Sequence, residues 1–132
     1  MSHLNGRMRV IEYDATSEAA LPTYVPLRPL GVGIEWEIIW AIGQQADGAV
    51  VHGWRWYDPE NPAGVDLYQV TGALDIPLPL GAMDSDLPNV SMRSWWATER
   101  RYPSYRFEAS AADKVGKVIA IVIEHIGAQG VE

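Results

Sequence analysis

Three histidines, His3, His52 and His125, are the only imidazoles available for acid–base chemistry in this chain. A hydrolytic triad needs a nucleophile, a base and an orienting acid in contact. The sequence holds no G-x-S-x-G, no phosphate-cradling glycine loop and no H-E-x-x-H around any of the three. His52 stands two residues before Trp54 and four before Trp56, the setting of a hydrogen-bonded packing histidine. Glu35 and Glu37 fall on the same face of any strand that carries them, about 7 Å apart. Paired carboxylates cleave glycosidic bonds when they flank one. Here they alternate with large apolar residues and read as a solvated sheet face. If that face were covered, they would need cationic partners such as Arg93 or Arg106.

Two acidic loops, 58–66 and 83–89, offer oxygen ligands. Asp58, Glu60, Asn61 and Asp66 lie in the first, Asp84 and Asp86 in the second. Calcium takes six to eight such oxygens. Neither loop has EF-hand spacing, and Asp, Asn and Pro at these positions are ordinary turn chemistry. The chain has no cysteine, which removes disulfides, thiolate metal sites and cysteine nucleophiles. No cofactor and no metal site is expected, and the reading is non-enzymatic. The triplet Asn89-Val90-Ser91 fits a glycosylation sequon, but nothing at the N-terminus resembles a secretory leader that would expose it to glycosylation.

Charge narrows the partners. The net charge of -7 works against phosphate backbones, so nucleic acid is not expected. The longest apolar run, 118–123, is far short of the roughly 20 residues of a membrane-spanning helix. Neither a signal peptide nor a transmembrane segment is expected, and the compartment stays open.

The aromatic balance says more. Six tryptophans and six tyrosines accompany a single phenylalanine. Trp and Tyr join a large apolar body to a polar tip and suit surfaces buried against something. The stretch HGWRWYDPENP (52–62) places His52, Trp54 and Trp56 on one strand face and Arg55 and Tyr57 on the other. The stretch SWWATERRYPSYRF (94–107) interleaves Trp95, Trp96 and Tyr102 with Arg100, Arg101 and Arg106, a composition typical of protein–protein contacts. His52, Trp54, Arg55, Trp56, Tyr57, Trp95, Trp96, Arg100, Arg101 and Tyr102 are therefore the candidate interface residues.

The elements that must position these residues are strands. Proline and glycine punctuate the whole chain, leaving only short periodic runs. In 33–43, Ile34, Trp36, Ile38, Trp40 and Ile42 alternate with Glu35, Glu37, Ile39 and Ala41, the period of a half-buried strand with the even positions inward. Asp47-Gly48 then predicts a tight turn that folds 49–57 back on that strand as a hairpin. Further strands are expected at 8–13, 65–72, 91–98 and 104–110. Residues 74–90 are too proline-rich for a central strand and read as an extended crossover loop. Residues 115–126 carry apolar residues at helical spacing, yet Gly116 and the dense β-branched run favour a strand. With both faces apolar, that strand belongs mid-sheet or under a partner subunit.

Length and pattern together predict one all-β domain over 1–132, a β-sandwich of jelly-roll type with an N-terminal arm at about 1–7. The expected function is a structural or interaction protein that oligomerises with itself or docks on a larger assembly. Its concrete form is a virion component such as a phage capsid decoration protein. The alternative is a carbohydrate-binding module, in which His52, Trp54, Trp56 and Asp58 border an exposed platform that stacks on a glycan.

Overall fold

The computed structural model describes residues 6–18, 21–45, 49–71, 77–80 and 95–126. Among them are nine strands: β1 (Arg7–Thr16), β2 (Pro22–Pro26), β3 (Ile34–Gln45), β4 (Ala49–Asp58), β5 (Asn61–Thr71), β6 (Leu78–Pro79), β7 (Trp95–Ala97), β8 (Tyr102–Ala109) and β9 (Val115–Ile126). Every pairing is antiparallel. One sheet runs β1-β9-β3-β6 with β7 also on β3, and the other runs β2-β8-β4-β5. The chain is an all-β sandwich.

The pairing is nested. β4 pairs β5, β3 pairs β6 and β7, β2 pairs β8, and β1 pairs β9. The chain is thus one long hairpin, doubled on itself and rolled into two layers, which is the jelly-roll arrangement. The hairpin tip is the Asp58-Pro59-Glu60-Asn61 turn inside the aromatic stretch 52–62. Proline suits the first central position of such a turn. The Asp58 carboxylate accepts hydrogen bonds from the backbone N–H of Glu60 at 2.9 Å and of Asn61 at 2.8 Å.

The core lies between the sheets, and around Trp54, Tyr105 and Phe107 it follows a division of sizes. The first sheet turns Ala41, Gly43, Gly116, Val118, Ala120 and Val122 inward, and the second turns Trp54, Tyr105 and Phe107 toward them. A Cβ on Gly43 would lie 2.6 Å from Tyr105 Cε1, and one on Gly116 would lie 2.7 Å from Phe107 Cζ. Sheets pack about 10 Å apart, so bulky rings on one side require near-bare backbone on the other.

Several expectations need correction. β3 and β4 do not form a hairpin: they lie in different sheets, and β3 pairs instead with β9, β6 and β7. The Asp47-Gly48 turn itself falls outside the described residues. Both strands have one strongly apolar face, and placing the strands in opposite layers buries the two faces against each other. The alternation in β3 holds only for its first half. The register with β9 shifts between Ile38 and Trp40, so Trp36 and Ile38 point inward, Ile39 and Trp40 outward, and Ala41 inward again. An inserted residue switches the strand's phase, and Trp40 therefore leaves the core face expected for it. β1 begins at Arg7, inside the expected arm, and runs on to Thr16. β2 was not foreseen, because prolines stand at both its ends; it is an edge strand, where proline is tolerated. Within the expected crossover loop, Leu78 and Pro79 pair briefly with β3, and most of 74–90 lies outside the described residues.

The C-terminal segment is a strand, and it lies mid-sheet between β1 and β3. Its even positions 116–122 are buried.

Candidate functional site

The ten candidate interface residues scatter over four environments. His52 and Trp54 are in the core, each 0% exposed. The His52 Nδ1 lies 2.7 Å from the Tyr105 hydroxyl, and the Trp54 indole N–H donates to the Leu78 carbonyl at 2.8 Å. Neither side chain is open to a glycan, so the platform expected at 52–58 loses two of its four members. The cause is register: both residues sit opposite Tyr105 and Phe107 on the inward face of β4.

Trp56 and Trp95 meet at one end of the sandwich, ring centroids 5.8 Å apart. The Trp56 indole N–H donates to Asp58 Oδ2 at 3.2 Å. Desolvation would raise the Asp58 pKa. Donors from the Asn61 side chain, the Asn61 and Glu60 backbone and the Trp56 indole outweigh it and hold the pKa below the usual carboxylate range. Oδ1 takes three of these bonds, which makes Asp58 a turn cap. Among the described residues no group of three His, Asp or Glu could hold a metal ion. The second acidic loop, including Asp84 and Asp86, the sequon at Asn89 and Arg93 fall outside the described residues.

A third group forms on the outer face of the second sheet. Tyr57 stacks on Tyr102 at 5.4 Å and 15°, Tyr24 meets Tyr57 edge-on, and the Arg28 guanidinium lies 5.1 Å over Tyr102. Burial pushes the Tyr57 pKa up; Tyr24 and Tyr102 add to this and Arg55 opposes it. Arg55 is held by the Gly64 carbonyl at 2.8 Å and by Asp66 at 3.5 Å. Arg106 bonds Gln69 and pairs with Glu108 on this sheet, so it is not the partner of Glu35 or Glu37. A hollow of about 250 Å³ opens beside the tyrosines, bordered by Arg28, Asp58, Glu99 and Arg100. Arg28 is also tied to the Glu99 carbonyl at 2.6 Å. The rings here engage one another and a guanidinium, with Tyr24 exposed and Tyr57 and Tyr102 half-buried. Arg101 is exposed in the 98–101 turn, where Thr98 Oγ1 caps the backbone N–H of Arg100 and Arg101.

The fourth environment is the outer face of the first sheet, where Trp96 lies, and there sequence reasoning missed most members. Register aligns Met8 with Ile123 and Val10 with Ile121 across β1 and β9, then Ile121 with Trp40 and Ile119 with Ile42 across β9 and β3. Met8 is 67% exposed, Val10 70%, Trp40 44% and Trp96 49%, and Ile39 adds to them. Ile119, Ile121 and Ile123 floor the centre, half-buried. Charge is confined to the two ends. Glu12 pairs with Lys117 at 3.0 Å at one. At the other, Glu37 Oε1 lies 3.5 Å from His125 Nε2, and the His125 ring stacks on Trp96 at 5.1 Å. Glu35 and Glu37 therefore sit on an outer face, as the alternation predicted, but half-buried. The one available signal was the two-faced apolar run 118–123; Val10, Met8 and Trp40 join it only through pairing.

No protein-family model matches the chain, and no curated protein matches it. Among solved structures, the chain is similar to a protein of the Bacillus endospore appendages, described as a novel family of disulfide-linked pili. The identity is 13% and the TM-score 0.46, over 92% of this chain and 88% of that one. The disulfide linkage named there has no counterpart here, since this chain contains no cysteine.

Proposed function

We propose that this protein is a non-enzymatic structural module that works by docking, on copies of itself or on a larger assembly. The observation that carries this reading is the outer apolar face of the first sheet, which no other described element covers, with Met8, Val10, Ile39, Trp40 and Trp96 all exposed. Soluble monomers rarely leave contiguous apolar patches beyond a few hundred Å² without a binding purpose. This one runs over three neighbouring strands, β1, β9 and β3, with charge at its two ends, the anatomy of an interface core and its rim. A particle component such as a capsid decoration protein is the concrete form proposed, by analogy of size and fold class. A glycan platform has less support, because His52 and Trp54 are enclosed and the tyrosines outside are stacked on one another.

The test is the solution mass of the untagged protein, by light scattering after size exclusion over a wide concentration range. A stable oligomer is the expected result. A monomer throughout that also fails to coat any larger particle would reject the docking function.

A further inference from the structure

We infer that β1 is a self-pairing edge: a second copy of this chain lays its own β1 antiparallel beside this one, about a two-fold axis that passes through Val10 at right angles to the sheet. The inference rests on the docking function proposed above and names its partner.

The first observation is a contrast among the sheet edges. An edge strand offers unpaired N–H and C=O groups to any strand that comes beside it, and proteins blunt such edges with proline, bulges or brevity. Three of the four edges formed by described strands are blunted. β2 has proline at both ends. β5 carries Pro62, and its register with β4 shifts twice. The far side of β3 carries β6 and β7, of two and three residues. β1 has none of these devices. It contains no proline, pairs with β9 at all ten positions without a shift, and pairs with no other described strand. Met8 and Val10 on it are 67% and 70% exposed.

The second is the order of charges along β1. Its first half carries Arg7 and Arg9, which share Glu124 of β9, leaving one positive charge. Its second half carries Glu12 and Asp14 beside Lys117 of β9, leaving one negative charge. Just beyond that end, Glu18 and Asp113 offset Lys114 and Arg28. Glu35 and Glu37 stand on β3, on the other side of β9. They are three strand spacings from an added β1, about 14 Å, beyond the Debye length at physiological salt. Antiparallel pairing of two β1 strands sets each positive end against a negative one, whereas parallel pairing sets like ends together.

The third is register. A two-fold axis at right angles to the sheet keeps every side chain on its own face, so only residues of equal parity can be opposed. Like charges directly opposite are destabilising. An axis through Arg9 opposes it to itself, and one through Glu12 does the same to Glu12. An axis through Met8 opposes Arg7 to Arg9, and one through Tyr13 opposes Glu12 to Asp14. An axis through Ile11 sets Val10 against Glu12. The axis through Val10 avoids all of these. It sets Val10 on Val10, Arg9 on Ile11, Met8 on Glu12, and Arg7 on the Tyr13 ring, a cation–π pair. The outer apolar faces of the two copies then join into one wider face.

Directly opposed residues of antiparallel strands have Cα atoms about 4.5–5.5 Å apart, within the span of a disulfide. The chain has no cysteine, so single cysteines report which residues meet. Val10→Cys, Met8→Cys, Glu12→Cys and, on the blunted edge β5, Val65→Cys are mildly oxidised, and disulfide dimers are read by non-reducing electrophoresis. All four positions are exposed, and circular dichroism verifies the fold. Wild type and Glu12→Lys are compared by light scattering from micromolar to millimolar concentration. Expected are a wild-type dimer, Val10→Cys crosslinking at least 10-fold faster than Val65→Cys, and Met8→Cys crosslinking to Glu12→Cys on mixing in preference to itself. Glu12→Lys, which makes both ends of β1 positive, should weaken the dimer at least 10-fold. A wild-type oligomer in which Val10→Cys crosslinks no faster than Val65→Cys overturns this edge and leaves the docking function standing at another surface. Fastest self-crosslinking by Met8→Cys or Glu12→Cys overturns the axis through Val10. A wild type that stays monomeric to millimolar concentration overturns self-pairing and leaves docking on a foreign partner.

Discussion

Replacing Gly116 by alanine tests the size division on which the two layers depend. Gly116 lies on β9 with its Cα facing the second sheet, and an added Cβ would fall 2.7 Å from Phe107 Cζ and closer still to two other ring atoms. Ordinary carbon contacts are about 3.5–4 Å, so the ring or the strand must move by about 1 Å. Phe107 is fully buried and stacks on Tyr105 at 6.0 Å, so the ring cannot swing aside without disturbing its neighbour. Overpacking of this kind costs about 1–3 kcal/mol. Alanine also narrows the unfolded ensemble, returning about 0.4–1 kcal/mol. The net expectation for Gly116→Ala is a loss of about 1–2 kcal/mol, a Tm lower by roughly 4–8 °C for a chain of this size. Urea unfolding followed by tryptophan fluorescence measures it. Phe107→Leu relieves the clash, so the double variant should lose less than the sum of the two single losses. A Gly116→Ala protein as stable as wild type, or strictly additive losses, would refute the size argument.

Three further outcomes follow from the same contacts. Tyr105→Phe removes the hydroxyl 2.7 Å from His52 Nδ1 in the closed core, and should cost about 1–3 kcal/mol in urea unfolding because the imidazole loses a buried partner. Glu124 accepts from the Trp36 indole N–H at 2.9 Å, and this bond, with Arg9 and Arg7 beside it, depresses its pKa against the opposing effect of desolvation. A depressed folded-state pKa gives stability that is present above the unfolded value of about 4.3 and disappears as pH falls through the folded value; Glu124→Gln should therefore flatten the stability loss seen on acidification below about pH 4.5. Gly64 has φ of 89°, and a Cβ there would lie 2.7 Å from Tyr57 Cε2; Gly64→Ala should cost about 1 kcal/mol or more and alter the near-ultraviolet signal of the Tyr57–Tyr102 stack.

The candidate site was legible only in part, and β3 shows why. Its first half obeys the alternation, and Trp36 and Ile38 are core residues as the pattern requires. The second half is out of phase because β9 meets it with one residue fewer. A bulge is a property of two strands, so one strand's sequence does not display it. Trp40 thereby changes from a core residue to part of the outer apolar face. The aromatic stretch 52–62 shows the converse. Its two-faced pattern was correct, with His52 and Trp54 on one side and Arg55 and Tyr57 on the other. Which side faces the core depends on the layer to which β4 belongs.

Local chemistry, then, was largely legible in the sequence: strands from period-two patterning between glycines and prolines, an all-β class, and a preference for strand over helix in 115–126; the acidic loop expected over 58–66 shrinks to a turn at Asp58–Asn61, with Asn61–Asp66 taken into β5. These depend on near neighbours, and near neighbours are what a sequence records. The tertiary structure alone decided how the strands divide between layers, where the phase of β3 slips, and which apolar face remains uncovered. The reason is range. Met8 meets Ile123, and Ile121 meets Trp40, through contacts spanning most of the chain, and only the rolled, nested pairing brings them onto one surface.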